Sequence, residues 1–199
     1  MFRGGQAARR RYSCGVDAEE LAEDALTGRA RALGAVFHDV AAASREAAGP
    51  WQGTLLLRGP MGAGKTTFTR ALAEGLAVLH PGRVASPTFT LCAVHRGPVA
   101  LVHVDLFRLA DPEGDGGAGG DPGMGGEAGF LALGDLEEDL QVAGPRLLVV
   151  EWAEKWRTPP ADHLTIDLGY TRDGARRTLR VAAAGPQATA VRAAWLNKG

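Results

Sequence analysis

The chain has 199 residues, 45% hydrophobic and 23% charged, with a formal net charge of −1 at pH 7. That length and apolar fraction suffice for one domain with a sizeable core and exclude wholesale disorder. A charge so close to zero argues against a protein that grips nucleic acid or membrane by charge alone.

Residues Met1 to Tyr12 carry Arg3, Arg9, Arg10 and Arg11 with no apolar run behind them, which reads as a flexible basic tail rather than a secretory signal. No stretch approaches the roughly 18 apolar residues that span a bilayer, so no membrane role and a cytoplasmic location are expected. Cys14 and Cys92 lie far apart without ligand spacing and read as free thiols. After an extended stretch near Arg11 to Gly15, Asp17 followed by Glu20 predicts a capped helix start. Leu21, Ala25, Leu33, Val36, Phe37 and Val40 would form its inner face, and Gly49-Pro50 its end. Gly28 and Gly34 weigh against one unbroken helix.

Thr54 to Leu57, within Gly53 to Arg58, predicts a short buried strand. A helix follows from Lys65 to about Val78, with Phe68, Leu72, Leu76 and Val78 inward. Ser86-Pro87-Thr88 makes a turn, Phe89 to His95 is extended, and Val99 to Phe107 is a second strand. In Asp111 to Gly129, nine of nineteen residues are glycine, beside two prolines and five acids. Such a stretch buries too little apolar surface to offset its ordering entropy and reads as a mobile, inserted surface loop. Phe130 to Val142 reads as an acidic helix, and Arg146 to Glu151 as a third strand. His163 to Tyr170 and Arg177 to Val181, around the turn Thr171-Arg172-Asp173-Gly174, predict a hairpin. Gln187 to Leu196 closes the chain as a helix. The whole, 1–199, reads as a single α/β domain: a mixed, mainly parallel sheet flanked by helices, with a C-terminal antiparallel hairpin.

The strongest motif is Gly59-Pro60-Met61-Gly62-Ala63-Gly64-Lys65-Thr66, a P-loop of the G-x-x-x-x-G-K-T type between a buried strand and a helix. Its glycines let backbone N–H groups approach phosphate oxygens, and the helix N-terminus adds partial positive charge. Gly62, Ala63, Gly64, Lys65, Thr66 and Thr67 are the candidate phosphate cradle. Lys65 would reach the β- and γ-phosphates and the Thr66 hydroxyl would ligate Mg²⁺. A P-loop NTPase also needs an acid near the metal at a strand end, and two candidates stand there, Asp105 and Glu151. Thr88 is a candidate γ-phosphate sensor. His103 reads as a core or supporting residue, while Trp152 reads equally as core or as a wall of the site. The one Asn-Lys pair, Asn197-Lys198, lacks the aspartate of the usual guanine-reading element, which favours ATP over GTP.

Four blocks together carry a family resemblance: Gly59 to Leu76; Arg83 to Leu91 with its Ser86-Pro87-Thr88; His103 to Leu109; and Leu148 to Lys155. In this order, with hairpin strands after them, they resemble the bacterial ATPase of tRNA threonylcarbamoyladenosine biosynthesis, the TsaE (YjeE) family. The resemblance implies a small ATPase that binds ATP and Mg²⁺ and works with TsaD- and TsaB-like partners, reaching tRNA through them. It also implies that Thr66 and Glu151 hold Mg²⁺ and that Asp105 sits near the attacking water. Thr88 would lie in a switch-like segment, with further nucleotide contacts near Asp17 to Glu19 and Gly174 to Arg176. Phe107 stands where the family usually has Tyr, and Pro60-Met61 replaces the common Asp-Leu, at positions that contribute backbone. A small-molecule kinase and a nucleotide-binding switch or adaptor without useful turnover remain alternative readings of the same motifs.

Deleting most of 111–129 is expected to leave the melting temperature nearly unchanged, because closing a shorter loop costs little entropy. A drop of more than several degrees in a thermal melt would show that the segment packs.

Overall fold

The computed structural model describes residues 18–44, 50–109 and 144–198. The expected tail at 1–12, the extended stretch at 11–15, Asp17, Gly49, the glycine-rich segment 111–129 and the helix at 130–142 lie outside them. The described elements, in chain order, are β1 (Glu19–Leu21), α1 (Glu23–Ala43), β2 (Gln52–Arg58), α2 (Lys65–Gly75), β3 (Cys92–His95), β4 (Ala100–Asp105), β5 (Arg146–Glu151), β6 (His163–Tyr170), β7 (Arg177–Ala184) and α3 (Pro186–Leu196).

One seven-stranded sheet runs in the order β1-β7-β6-β2-β5-β4-β3. Its centre is parallel, β6 with β2, β2 with β5 and β5 with β4. The flanking pairs, β3 with β4, β6 with β7 and β1 with β7, are antiparallel. The central strands are near-continuous apolar runs because they are buried on both faces. One face carries Leu55, Leu57, Leu101, Leu147 and Val149 under residues of α1, α2 and α3, while Leu56, Val102, Val104, Leu148 and Val150 form a second cluster on the other. The mixed sheet and the C-terminal hairpin are those expected from the sequence.

The N-terminal region departs from expectation. Helix α1 starts after Ala22, which is extended and makes no side-chain cap, and the would-be capping residue Glu20 is in β1 opposite Thr178. Three residues of ladder along the otherwise open edge of β7 replace one cap bond, and they cover that edge. Ala25 is exposed, and the buried face is Leu26, Ala30, Leu33, Gly34, Val36, Phe37 and Ala41, so Leu33, Val36 and Phe37 lie inward as expected.

Nor do the glycines break α1. A Cβ at Gly34 would lie 2.1 Å from the Leu72 carbonyl oxygen, and one at Gly75 would lie 2.0 Å from that of Arg31. These two glycines let α1 and α2 cross backbone to backbone. Helix α2 stops at Gly75 rather than Val78, because Ala77 turns left-handed at φ 61° and Val78 N–H donates back to Ala73 O. Leu76 and Val78 are buried nonetheless.

Gly34→Ala is expected to destabilise the protein by about 2 kcal/mol or more, since a helix backbone must move to admit the methyl. Gly28→Ala, with nothing within 4 Å of the added carbon, is expected to stabilise by roughly 0.5–1 kcal/mol. Urea unfolding of both variants checks this, and equal midpoints would contradict the close crossing.

Candidate functional site

Strands β2, β4 and β5 end at one edge of the sheet, with Leu57 opposite Glu151 and Asp105 opposite Glu151 in the ladders. Beyond Arg58 the chain turns back over that edge and enters α2 at Lys65. Gly59, Gly62 and Gly64 take φ values of 133°, 76° and 101°, where a side chain is disfavoured. At Gly59 a Cβ would also lie 2.0 Å from the Leu168 carbonyl oxygen of β6. No side chain caps α2, so its first N–H groups stay available at the mouth of a cavity of about 320 Å³.

Lys65 folds across the loop, its Nζ donating to Gly59 O at 2.6 Å and Pro60 O at 3.0 Å. Trp152 closes over the ammonium, with its ring centroid 3.7 Å from Nζ. Burial pushes the Lys65 ammonium below the usual lysine range, while Glu154, Glu151 and Asp105 pull it back up. Trp152 takes a left-handed turn at φ 59°, directly after Glu151, and its ring lies 5.0 Å from that of Phe107. Lys155 Nζ donates to Phe107 O at 2.8 Å and Leu109 O at 2.7 Å, tying the exits of β4 and β5 together.

Glu151 is 2% exposed. Its Oε2 accepts from the Thr66 hydroxyl at 2.9 Å, and its Oε1 contacts Thr69 Oγ1 at 3.2 Å and His103 Nε2 at 2.8 Å. Asp105 is equally buried. Its Oδ2 accepts from the hydroxyls of Ser86 and Thr88, the latter at 2.8 Å, and its Oδ1 from Phe107 N–H at 2.8 Å. The segment through Ser86-Pro87-Thr88 is therefore latched onto the end of β4.

Gly62, Gly64, Lys65, Thr66, Thr67, Thr88, Asp105 and Glu151 line this cavity together, and Ala63 turns into the core. Trp152 is a wall, which the sequence left open. Ser86 and Thr69 carry contacts that no motif assigned. The signal for Thr69 was its place one helical turn after Lys65, on the side of α2 that meets Glu151. At the first strand–helix junction, Glu19 pairs with Arg29 at 3.1 Å. Residues 174–176 do not line this cavity. The hairpin reaches the loop instead through Tyr170, whose hydroxyl donates to Met61 O at 2.8 Å.

Amide N–H groups at a helix N-terminus and a buried ammonium fit a polyphosphate. The Thr66 hydroxyl with the Glu151 and Asp105 carboxylates is a hard-oxygen set that fits Mg²⁺ completed by phosphate oxygens. Among the described residues no group of three or more His, Cys, Asp or Glu forms a self-sufficient metal cage.

The model of a protein family described as Threonylcarbamoyl adenosine biosynthesis protein TsaE matches residues 25–179. Proteins named tRNA threonylcarbamoyladenosine biosynthesis protein TsaE are similar to this chain. That of Nostoc sp. is 32% identical over 124 residues, 62% of this chain and 66% of that protein. The protein from Treponema pallidum is 35% identical over 123 residues, 61% of this chain and 76% of that one. For Aquifex aeolicus the identity is 50% over 58 residues, 29% of this chain and 44% of that protein. The match thus spans just under two thirds of the Nostoc protein and less than half of the Aquifex one. Among solved structures, the crystal structure of Bacillus subtilus YdiB shares the fold at a TM-score of 0.54 and 22% identity, covering 92% of this chain and 99% of that one.

Asp105→Ala is expected to free the latched segment. Amide hydrogen exchange at 86–91 should rise while the centre of β4 stays protected, with about 1–3 kcal/mol of stability lost. Unchanged exchange at 86–91 would mean the hydroxyls do not depend on the carboxylate.

Proposed function

This chain belongs to the TsaE family, and on that premise we propose that it is the Mg²⁺-dependent, ATP-binding and ATP-hydrolysing subunit of the machinery that forms threonylcarbamoyladenosine in tRNA beside the anticodon. The observation that carries the reading is the 2.9 Å bond from Thr66 to Glu151 at the head of the loop that Lys65 spans. It joins the metal-holding hydroxyl of a P-loop to a carboxylate at the end of the neighbouring strand, the pairing that P-loop nucleotide hydrolysis requires.

In this reading the N–H groups of the loop and of the first turn of α2 bind the phosphates. Lys65 holds the loop closed through Gly59 and Pro60 and offers its charge to the β- and γ-phosphates. Thr66 and Glu151 hold Mg²⁺, which when bound neutralises phosphate charge and draws electrons from the transferred phosphoryl group. Asp105 orients the attacking water, and its bonds to Ser86 and Thr88 make the switch segment responsive to what occupies the cavity. Trp152 and Phe107 wall off solvent.

Hydrolysis by the lone chain is slow and TsaD- and TsaB-like partners accelerate it; tRNA is reached through them, in the cytoplasm. Two features support this. Arg70 Nε donates to Val84 O, Arg108 lies 5.5 Å from the Phe89 ring, and none of Arg70, Arg83 and Arg108 lines the cavity where transition-state charge would develop. Phe89, beside Thr88, is 87% exposed and Met61 in the loop 66%, apolar surface that a docking protein would cover.

Phosphate release by the purified chain, alone and with cognate TsaD- and TsaB-like proteins, tests the proposal. Stimulation in the direction of the roughly 10³–10⁵ that a group supplied in trans can give is expected. Lys65→Ala is expected to lose tight Mg·ATP binding while staying folded, and Glu151→Gln to lose hydrolysis far more than ATP binding. Full-speed turnover by the lone chain would shift the reading to an independent ATPase or kinase. Binding without turnover under any condition would shift it to a nucleotide switch.

A further inference from the structure

Strand β4 is apolar at Ala100, Leu101, Val102 and Val104, yet His103 in its middle is fully buried. An imidazole there costs stability unless it is hydrogen-bonded. Its Nε2 lies 2.8 Å from Glu151 Oε1, and its Nδ1 is buried with no partner among the described residues. An ionised carboxylate only accepts, so Nε2 carries the proton and donates it.

Thr69 is the other group on Oε1, but its hydroxyl has one proton and two acceptors within reach, Lys65 O at 3.0 Å and Glu151 Oε1 at 3.2 Å. Neither acceptor can donate in return, so the Thr69 proton is divided between them. His103 is therefore the one undivided donor to Oε1. With Oε1 held by β4, Oε2 is left for Thr66 and the cavity. Register enforces the arrangement: His103 stands opposite Val149, two residue pairs below the pair of Asp105 and Glu151 and therefore on the same sheet face.

We infer that His103 is a positioning residue that anchors Glu151 by Oε1 so that Oε2 alone is presented with Thr66 to the metal–nucleotide site. This rests on the reading of Thr66 and Glu151 as the Mg²⁺-holding pair. A hydrophobe at this position would leave Oε1 without the N–H that the imidazole places 2.8 Å from it.

The test measures the affinity of a fluorescent ATP analogue across a Mg²⁺ titration and in excess EDTA, on the full chain. In His103→Phe the Mg²⁺ concentration needed to tighten nucleotide binding is expected to rise about 10–100-fold, the usual loss when a ligand's supporting partner is removed. Affinity in EDTA is expected to stay at the parental value, because loop and Lys65 are untouched. His103→Gln, whose amide nitrogen reaches the Nε2 position, is expected to return within a few-fold of the parent. His103→Asn, whose amide stops at the Nδ1 position, is expected to resemble the Phe variant. A folded Phe variant with the parental Mg²⁺ requirement overturns the inference, and so do Gln and Asn variants that behave alike. Should the Phe variant not fold by circular dichroism, the Gln–Asn contrast decides alone. A parent with no Mg²⁺ effect at all overturns the metal reading itself and the inference with it, an outcome distinct from a Mg²⁺-responsive parent whose variants match it.

Discussion

A carboxylate taken out of water loses several kcal/mol of hydration unless donors replace what it gives up, and Glu151 is almost wholly buried. Its contacts come from Thr66 and Thr69 on α2 and from His103 on β4. One side chain at the end of β5 thus binds a neighbouring strand and the helix that follows the loop. Moving α2 away from the sheet would strand the charge, so the start of the helix is fixed relative to the strand ends. The glycine loop between β2 and α2 inherits that fixed position at both ends.

The parallel centre of the sheet is what makes this possible. Strands running the same way finish at the same edge, and the register sets Asp105, Glu151 and Leu57 side by side in three successive strands. Two carboxylates, an ammonium and an uncapped helix end therefore meet over one cavity without any long-range distortion. The antiparallel flanks serve other ends. β7 pairs with β6 in the hairpin, where Tyr170 at the end of β6 bonds to Met61 O, and β3 follows the segment that Asp105 latches.

Holding that geometry also depends on the close crossing of α1 over α2. Gly34 and Gly75 remove the side chains that would separate the helices, and Phe68 and Leu72 fill the space between α2 and the sheet. Tight packing transmits small shifts rather than absorbing them. A change at Thr66 would be felt at Thr69 within one helical turn, and through Glu151 at β4 and its latch on Ser86 and Thr88. That chain of contacts leads from the cavity to the segment that carries the exposed Phe89.

Local structure was legible in the sequence wherever a motif is contiguous. The glycine loop, its flanking strand and helix, the acids at the ends of β4 and β5 and the C-terminal hairpin all follow from short patterns whose spacing has a direct physical meaning. The family resemblance added an ATPase reading that composition could not supply. Tertiary structure decided the rest. Glu20 looked like half of a capping box, but the open edge of β7 offered its backbone a ladder, and a ladder is a non-local bond that no window of sequence contains. Gly34 looked like a helix breaker because only the crossing with α2 shows what a methyl would strike. Trp152 and His103 were ambiguous for the same reason: an aromatic or an imidazole beside an apolar run reads as core until the ring's partner is known. Here the partners, Lys65 and Glu151, lie 87 and 48 residues away along the chain, and only folding brings them within bonding distance.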